Sequence, residues 1–570
     1  MNNLGIDSTR TVSVADFLAE FLSHKKVPAV FELSGGMIAF LTDAISRKGI
    51  IPIINLRHEQ AAGFAAEGAS RSRGVPSVAL GTSGPGATNL ITPIGSAYFD
   101  STPILFITGQ VHQSELRSNE NQRQNGFQEL NIVEMVKGIT KYASQVRNPS
   151  EFRIALLKAW SIATSDRPGP VLIDIPIDVQ QMRISPYQEE ALLTNTKQKD
   201  TTTSTDYEKL YEWLNASQNP LILVGGGVRL ADSINDFRLL VERLKIPVVH
   251  SLMAVDALPG ESPYRVGMIG SYGNRWANKA LATSDTVLVL GSRLDVRQTG
   301  NSIEEFTRGK RIIRVDVDQF ELDGRIKANL NLRMSLPEFF HSLNYKRLNI
   351  NSVNFIGMIS RWKDDNPAES EQEQYFELNP NFVMSQLGDI FRESKGFLVD
   401  VGQHQMWAAQ SLKLGEHQRF MTSGGMGAMG FSIPAAIGCA AANGGKWVAI
   451  AGDGCAQLSL PELQSLKQYN FQIAVCIINN EQLGMVAQFQ EENMDSRFIA
   501  TREGYSNPDF IAVANSFGIP SLRVSAKSDL LNLEKMIKGW ASGPLIIEFR
   551  ISQDAKALPK MKKSNKLPEL

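Results

Sequence analysis

Residues 452–490 read GDGCAQLSLPELQSLKQYNFQIAVCIINNEQLGMVAQFQ. An apolar run, WVAIAG (447–452), leads into Asp453. A second, IAVCIIN (473–479), leads into Asn480, 27 residues further on. The stretch between them has helical spacing. A strand, a helix and a returning parallel strand need about this length. Neighbouring parallel strands would then carry Asp453 and Asn480 at one edge of a sheet. In doubly wound α/β sheets, ligands bind at that edge, beyond the carboxyl ends of the strands.

A carboxylate and an amide oxygen suit a hard cation such as Mg2+, which takes few protein ligands and completes its shell with phosphate oxygens and water. The flanking glycines let a diphosphate approach the backbone, and a helix expected to start near Ser459 would offer N–H groups. Asp-Gly and Asn-Asn are also ordinary turn formers, and either alone reads as a turn. Their separation by one crossover favours a metal–diphosphate clamp.

The rest of the chain fits this frame. With 570 residues it is long enough for about three domains. Hydrophobic residues make up 43% and charged residues 21%, as in ordinary globular proteins. A net charge of −1 argues against a nucleic-acid or membrane surface. No apolar run approaches the ~20 residues that span a bilayer, and the first residues lack the pattern of a secretory signal. Cys439, Cys455 and Cys476 resemble neither a disulfide framework nor a zinc set, so a reducing cytoplasm is the simplest setting.

Short apolar runs alternate with amphipathic stretches, the pattern of parallel sheets covered by helices. PAVFEL, IIPIINL, SVALGT, ILFITG and PVLIDIPIDV form a first block. LILVGG, IPVVHS, TVLVLGS and RIIRVDV form a second, and GFLVDV, WVAIAGDG, IAVCIINN and PLIIEFRIS a third. Polar stretches near 185–205 and 365–380 separate them. The reading is three doubly wound α/β domains, 1–185, 205–365 and 375–555, followed by a basic tail, 556–570, that is mobile or folds over a site.

Several long motifs now add a resemblance. GDG followed by NN resembles the thiamine diphosphate (ThDP) motif. VGQHQMWAAQ, SGGMGAMGFSIPAA, NNEQLGMVAQFQ and LGTSGPGATNLITPIGSAYFDSTPILFITGQV are similar to the acetolactate synthase (acetohydroxyacid synthase) family. The likeness runs in order from about residue 10 to 550. It implies an amino-terminal domain that holds the aminopyrimidine ring and a carboxy-terminal domain of another subunit that holds the diphosphate. A homodimer or homotetramer follows. Biosynthetic members often have a separate regulatory subunit.

By this resemblance Glu59, in NLRHEQAAGFAAEGA, is the glutamate that hydrogen-bonds the pyrimidine nitrogen and helps the thiazolium lose its C2 proton. Burial among AAGFAA would raise its pKa, which suits proton exchange near neutrality. Locally, Glu59 also reads as a surface acid at a helix start beside Arg57 and His58. Gly427 and Met429 match the residues that accept the amine hydrogen bond and bend the cofactor, although a methionine is more often core filling. Val401, Gly402, Gln403 and His404 match the diphosphate loop. Asp453, Asn480 and the carbonyl of Gln482 match the metal set, with Gly454, Cys455, Gly484 and Met485 lining the same site. Phe127 and Gln128 match a pair near the reacting carbon. Gly35 and Gly36 match a bordering turn, with Ser34 where proline is frequent.

The resemblance further implies a structural FAD in the central domain. The matching positions are Arg167, Gly225, Gly226, Gly227, the GMIGSYG turn, Gly291, Ser292, Arg293, Arg297, Asp316 and Val317. LVGGGV alone is weak evidence for a nucleotide.

Two departures fall on the acceptor side of the implied pocket. Phe489 stands where family members have Trp, and Leu294-Asp295-Val296-Arg297 stands where they read FDDR. A change of ring area there is worth on the order of 1 kcal/mol of discrimination. RQNGFQELNIV, PVLIDIPIDVQ and GSRLDVRQTG also resemble relatives in bacterial surface-polysaccharide and branched-sugar pathways. The implied activity is a carboligase that decarboxylates pyruvate and gives the two-carbon unit to a carbonyl acceptor. That acceptor is a second 2-ketoacid, or alternatively a nucleotide-linked keto sugar. A non-catalytic cofactor-binding regulator would be expected to lack Glu59 or the metal pair, and all are present.

Overall fold

The computed structural model describes residues 11–119, 121–187, 203–372 and 377–561. Most of the polar stretch near 185–205 and the end of the tail lie outside them. Among the described residues, no helix is long and apolar enough to cross a membrane. The three cysteines are free and buried.

Eighteen strands form three six-stranded sheets whose neighbours all run parallel. The first sheet contains β1 (Val30–Glu32), β2 (Ile53–Asn55), β3 (Ser77–Gly81), β4 (Ile104–Gln110), β5 (Tyr142–Gln145) and β6 (Val171–Pro176). Their spatial order is β2-β1-β3-β4-β6-β5. The second contains β7 (Pro220–Val224), β8 (Val248–His250), β9 (Arg265–Met268), β10 (Thr286–Leu290), β11 (Arg311–Asp316) and β12 (Leu330–Arg333), in the order β9-β8-β7-β10-β11-β12. The third contains β13 (Gly396–Val399), β14 (Arg419–Met421), β15 (Trp447–Gly452), β16 (Ile473–Asn479), β17 (Ser521–Val524) and β18 (Leu545–Arg550), in the order β14-β13-β15-β16-β18-β17.

The central strands of each sheet are near-continuous runs of Val, Ile, Leu and Ala, fully buried as β4, β10 and β16 are. Sheets covered on both faces require this. The first and third sheets repeat one strand order, and the second has the order of dinucleotide-binding folds. In every case the strand order reverses beside the sheet's first strand, which opens a crevice at the carboxyl edge. The loops that follow β1 and β3, β7 and β10, and β13 and β15 carry the motifs read from the sequence.

The chain divides into two compact units. One comprises 1–197, 425–444 and 459–471; the other comprises 198–424, 445–458 and 472–570. The helices that position the candidate site are α1 (Glu59–Arg73), α2 (Gln403–Ser411), α3 (Ser432–Asn443), α4 (Asp453–Leu458), α5 (Glu462–Tyr469) and α6 (Gly484–Asn493). The helix expected near Ser459 is therefore two helices. α4 begins directly at Asp453, and Ser459 lies between α4 and α5, with its hydroxyl on the carbonyl of Gly430. Pro461, just before α5, punctuates the run.

Within the first unit, α1 and α3 cross with their backbones in contact at two glycines. A Cβ on Gly68 would stand 2.1 Å from the Ala435 carbonyl oxygen, and one on Gly438 would stand 1.8 Å from the Ala65 carbonyl oxygen. The Cys439 thiol adds a bond to the carbonyl of Gly68 at 3.2 Å. Gly438→Ala would force two backbones apart. Overpacking of this kind costs about 1–3 kcal/mol. The expected result is a fall of several degrees in melting temperature, measured by scanning calorimetry.

Candidate active site

Glu59 opens α1. His58 caps the helix, its Nδ1 accepting from the backbone N–H of Gln60. The Glu59 side chain is 5% exposed, and the Asn89 amide donates to its Oε2 at 2.9 Å. Arg57 does not pair with it. The Arg57 guanidinium bonds Asn55 and Gln468, and its N–H donates to Glu462 on α5. Glu59 is therefore a buried carboxyl held by a neutral donor, not a surface acid.

The turn after β3 lies beside it. A Cβ on Gly86 would be 3.2 Å from Glu59 Oε1. Gly84, at φ +64°, abuts the Gln128 side chain, and Gly35 leaves room for Thr82. Gln128 itself sits at φ +66°, a conformation that side chains other than glycine seldom adopt. Its neighbour Phe127 is 81% exposed. The structure thus gathers Glu59, Gly35 and Gln128 around the β1 and β3 loops. Gly36 starts a short helical turn with open space around it.

Gly427 is exposed at φ +71°, and Met429 is half-buried. Their loop is anchored at Gly425, whose N–H donates to Asp100 Oδ1 at 2.7 Å. Arg71 on α1 lies 3.9 Å from Asp100 and 3.4 Å from Glu67. Burial, offset in part by Arg71, pushes the Glu67 carboxyl up to about 8.

In the second unit, Gly452 pairs with Ile478 across β15 and β16, so Asp453 and Asn480 follow neighbouring strand ends. Asp453 is 3% exposed. Its Oδ2 accepts from Asn507 Nδ2 at 2.7 Å and from the Gln482 N–H at 3.2 Å. Burial pushes its carboxyl up to about 6, against hydrogen bonds from Asn507, Gly454 and Tyr505. Among the described residues, no cationic side chain pairs with it. Asn480 gives its Nδ2 to Gln403 Oε1 at 3.0 Å. Among the described residues, no protein group donates to Asn480 Oδ1 or to the Gln482 carbonyl.

One buried carboxylate and two oxygens without protein donors are a donor set for a hard dication. Among the described residues there is no cluster of three or more His, Cys, Asp or Glu that could hold a metal ion. The cradle is narrow. A Cβ on Gly484 would fall 2.0 Å from Gln403 Oε1, and Cβ atoms on Gly402 and Gly452 would press on the His404 ring. His404 Nε2 accepts from the Gly452 N–H at 3.2 Å, and burial pushes the ring's pKa down to about 4, so the imidazole is neutral. The Cys455 thiol bonds the Val401 carbonyl. Met485 packs against the hydrophobic core.

In the central sheet the glycines of LVGGGV serve a close crossing. A Cβ on Gly225 would meet Gly291 O at 2.2 Å, and one on Gly227 would meet Gly291 Cα at 2.8 Å. Gly226 faces Met253. Arg293 approaches Asp295 at 3.7 Å, and Asp295 caps the short helix carrying Val296 and Arg297. The Ser292 hydroxyl donates to Gln298. Asp316 accepts from the N–H of Asp318, and Val317 is half-buried. Arg167 belongs to the first unit, where its Nε donates to Ser101. Val296 and Phe489 are each 47% exposed.

Three family models match in order: the thiamine pyrophosphate enzyme N-terminal TPP binding domain at residues 12–135, the central domain at 207–343 and the C-terminal TPP binding domain at 400–549. The acetolactate synthase large subunit of Cyanidium caldarium is 33% identical over 559 residues, covering 95% of this chain and 94% of that one. The chain belongs to the acetolactate synthase family. The large subunit of Lactococcus lactis subsp. lactis is 33% identical over 560 residues, covering 96% and 94%. Acetolactate synthase 1, chloroplastic, of Nicotiana tabacum is 32% identical over 565 residues, covering 96% and 82%. Membership makes the chain a ThDP-dependent carboligase of the transferase class.

Against this acetolactate synthase background, Asn507 and Tyr505 are the site residues that sequence reading missed. Asn507 bridges Asp453 and Asn479, while Gln457 bonds both Tyr505 and Asn507. The signal available was only GYSNPD, a turn-forming run.

The Glu67 network yields a pH test. A carboxyl whose folded pKa is raised from 4.5 to about 8 adds stability at low pH, which is lost as pH rises through about 8. The melting temperature should therefore fall between pH 5 and pH 8.5. Glu67→Gln should flatten that fall by on the order of 3 °C, as measured by scanning calorimetry.

Proposed function

We propose that the chain decarboxylates pyruvate and transfers the two-carbon unit to a carbonyl acceptor, with ThDP and Mg2+ bound and FAD in a structural role. The observation that carries this reading is Asp453, a buried carboxylate with only neutral donors around it, beside two free oxygens at adjoining strand ends. ThDP, when bound, supplies a carbon nucleophile and an electron sink for decarboxylation. Asp453, Asn480 Oδ1 and the Gln482 carbonyl hold the cation. Val401, Gly402, Gln403 and His404 form the loop facing the diphosphate, and Gly454, Cys455, Gly484 and Met485 line the same place. Glu59, at 5% exposure and bonded by the Asn89 amide, would exchange a proton with the pyrimidine ring of the cofactor. Gly427, exposed at positive φ, would accept a hydrogen bond from the amine at its carbonyl, and Met429 beside it would pack against the cofactor. Phe127, Gln128, Gly35 and Gly36 border the reacting carbon. A second copy of the chain completes the site, so the working form is a homodimer or homotetramer. A regulatory subunit is compatible with the names of the relatives.

The acceptor that the family relationship favours is a second 2-ketoacid. A second reading, transfer to a nucleotide-linked keto sugar, draws on one observation. Arg297 makes no ion pair among the described residues and is exposed beside Val296, which stands where an acid is usual. Its planar fork could receive a carboxylate or a phosphate. Phe489, where Trp is usual in the family, is exposed on α6. Gly225, Gly226, Gly227, Gly291, Arg293, Asp316 and Val317 lie at or near the strand ends of the central sheet and are assigned to FAD, with Arg167 as a further contact.

Purified protein supplied with ThDP, Mg2+, FAD and pyruvate should release CO2 and form acetolactate. A parallel arm adding nucleotide-linked 4-keto sugars should leave that product undiverted; a new branched product there would move the assignment to the sugar. Glu59→Gln should lower turnover by about 100-fold or more while ThDP binding, followed by tryptophan fluorescence, persists. Wild-type turnover in that variant would remove Glu59 from the mechanism.

A further inference from the structure

Among the described residues, the backbone of residues 553–558 accepts hydrogen bonds from seven side chains of the second unit. Gln482 and Arg502 donate to Gln553 O, Gln403 to Ala555 O, Gln372 and Trp407 to Lys556 O, Gln488 to Ala557 O, and Gln410 to Leu558 O. Lys556 and Lys560 pair with Glu491 and Glu492 on α6. The first part of the basic tail is thus strapped along α2 and α6. Residues 562–570 lie outside the described residues.

This strap decides an orientation. A carboxamide is nearly symmetric in shape, and its two ends differ only in what they can bond. Backbone groups have no such ambiguity. The Ala557 N–H donates to Gln488 Oε1 at 2.9 Å, and the Ala557 carbonyl accepts from Gln488 Nε2 at 3.2 Å. These two bonds fix which way round Gln488 stands. Its Oε1 and the Ala555 carbonyl, both acceptors, then require the Nε2 end of Gln403, at 3.2 Å from each. Gln403 therefore presents Oε1 to Asn480. Only the Nδ2 end of Asn480 can meet it, at 3.0 Å. The Asn480 oxygen is left facing away, with no donor among the described residues.

We propose that Gln488, held by the strap at Ala557, is a positioning residue that sets the polarity of the Asn480 carboxamide, so that oxygen and not NH2 faces a divalent cation. This rests on the reading of Asp453, Asn480 and Gln482 as the Mg2+ ligands. Gln488 touches neither cation nor substrate. It acts through Gln403. Without it, the Ala555 carbonyl alone holds the Nε2 end of Gln403, and Gln403 and Asn480 turn over together more readily, bringing a donor to the metal.

The test is Mg2+ binding by the full chain at saturating ThDP, read by titration calorimetry and independent of turnover. Gln488→Met should weaken Mg2+ about tenfold, the scale expected when a group behind a metal ligand is lost, while turnover at saturating Mg2+ stays near wild type. In an Asn480→Asp background both side-chain ends are oxygen. Adding Gln488→Met there should cost less than twofold. Gln488→Asn, too short to reach Ala557, should repeat the single-variant loss and covers the case in which the methionine variant fails to fold. Unchanged Mg2+ affinity in both single variants, or an equal loss in the Asp background, overturns the proposal. If the wild type itself shows no ThDP-dependent Mg2+ binding, the underlying metal assignment falls instead, a distinct result.

Discussion

The contact on which most else depends is the bare crossing of α1 and α3, where Gly68 and Gly438 let one backbone rest on the other. Close-packed interiors transmit small displacements. α1 starts at Glu59, and α3 is preceded by the loop of Gly427 and Met429. The distance between the two backbones therefore fixes the helix that places the buried carboxyl of Glu59. The Glu67–Arg71–Asp100 network runs from the same helix to Gly425, so the loop is tied to α1 by charge as well as by packing.

The treatment of buried charge divides the molecule into two kinds of place. Asp256 is as deeply buried as Asp453, and burial alone would raise it. Arg229 and Arg419 instead hold it below the usual carboxylate range. Glu548, buried at the foot of β18, has Arg523, Arg550 and Asn479. These acids have their cations built in. Among the described residues, Asp453 has amide, hydroxyl and backbone donors only. Asp174, held by Thr108, Gln110 and Gln145, is a second acid of this kind, so the place of Asp453 beside Asn480 at the strand ends, and not its neutral donors alone, sets it apart.

The sequence made the sheets legible where strands are apolar throughout. β4, β7, β10, β15 and β16 stand out as continuous runs between turn signals. The edge strands β5, β9, β12, β14 and β17 do not, because an edge strand has one neighbour and tolerates residues such as Arg265, Asn331 and Arg523. The spacing of Asp453 and Asn480 predicted adjacent parallel strands, and the register bears this out. The helix near Ser459 was misplaced because Asp-Gly reads as a turn, while here it opens α4. Of the candidate site, the acids and glycines are visible as motifs. The glutamines around 553–558 are not, since an amide's role depends on what lies opposite it in space. Asn507 was hidden for the same reason.

The split of the first unit also has a consequence for how the chain is made. α1 leaves the ribosome about 360 residues before α3 begins. At roughly 5–20 residues per second, that is a wait of about 20–70 s. During it, the alanine- and glycine-rich face of α1 has no partner. The nascent amino-terminal segment then carries an uncovered seam, the kind of transiently exposed surface that chaperones shield. Translation speed between residues 73 and 432, a property of the message and not of the protein, thus sets how long that seam stays open.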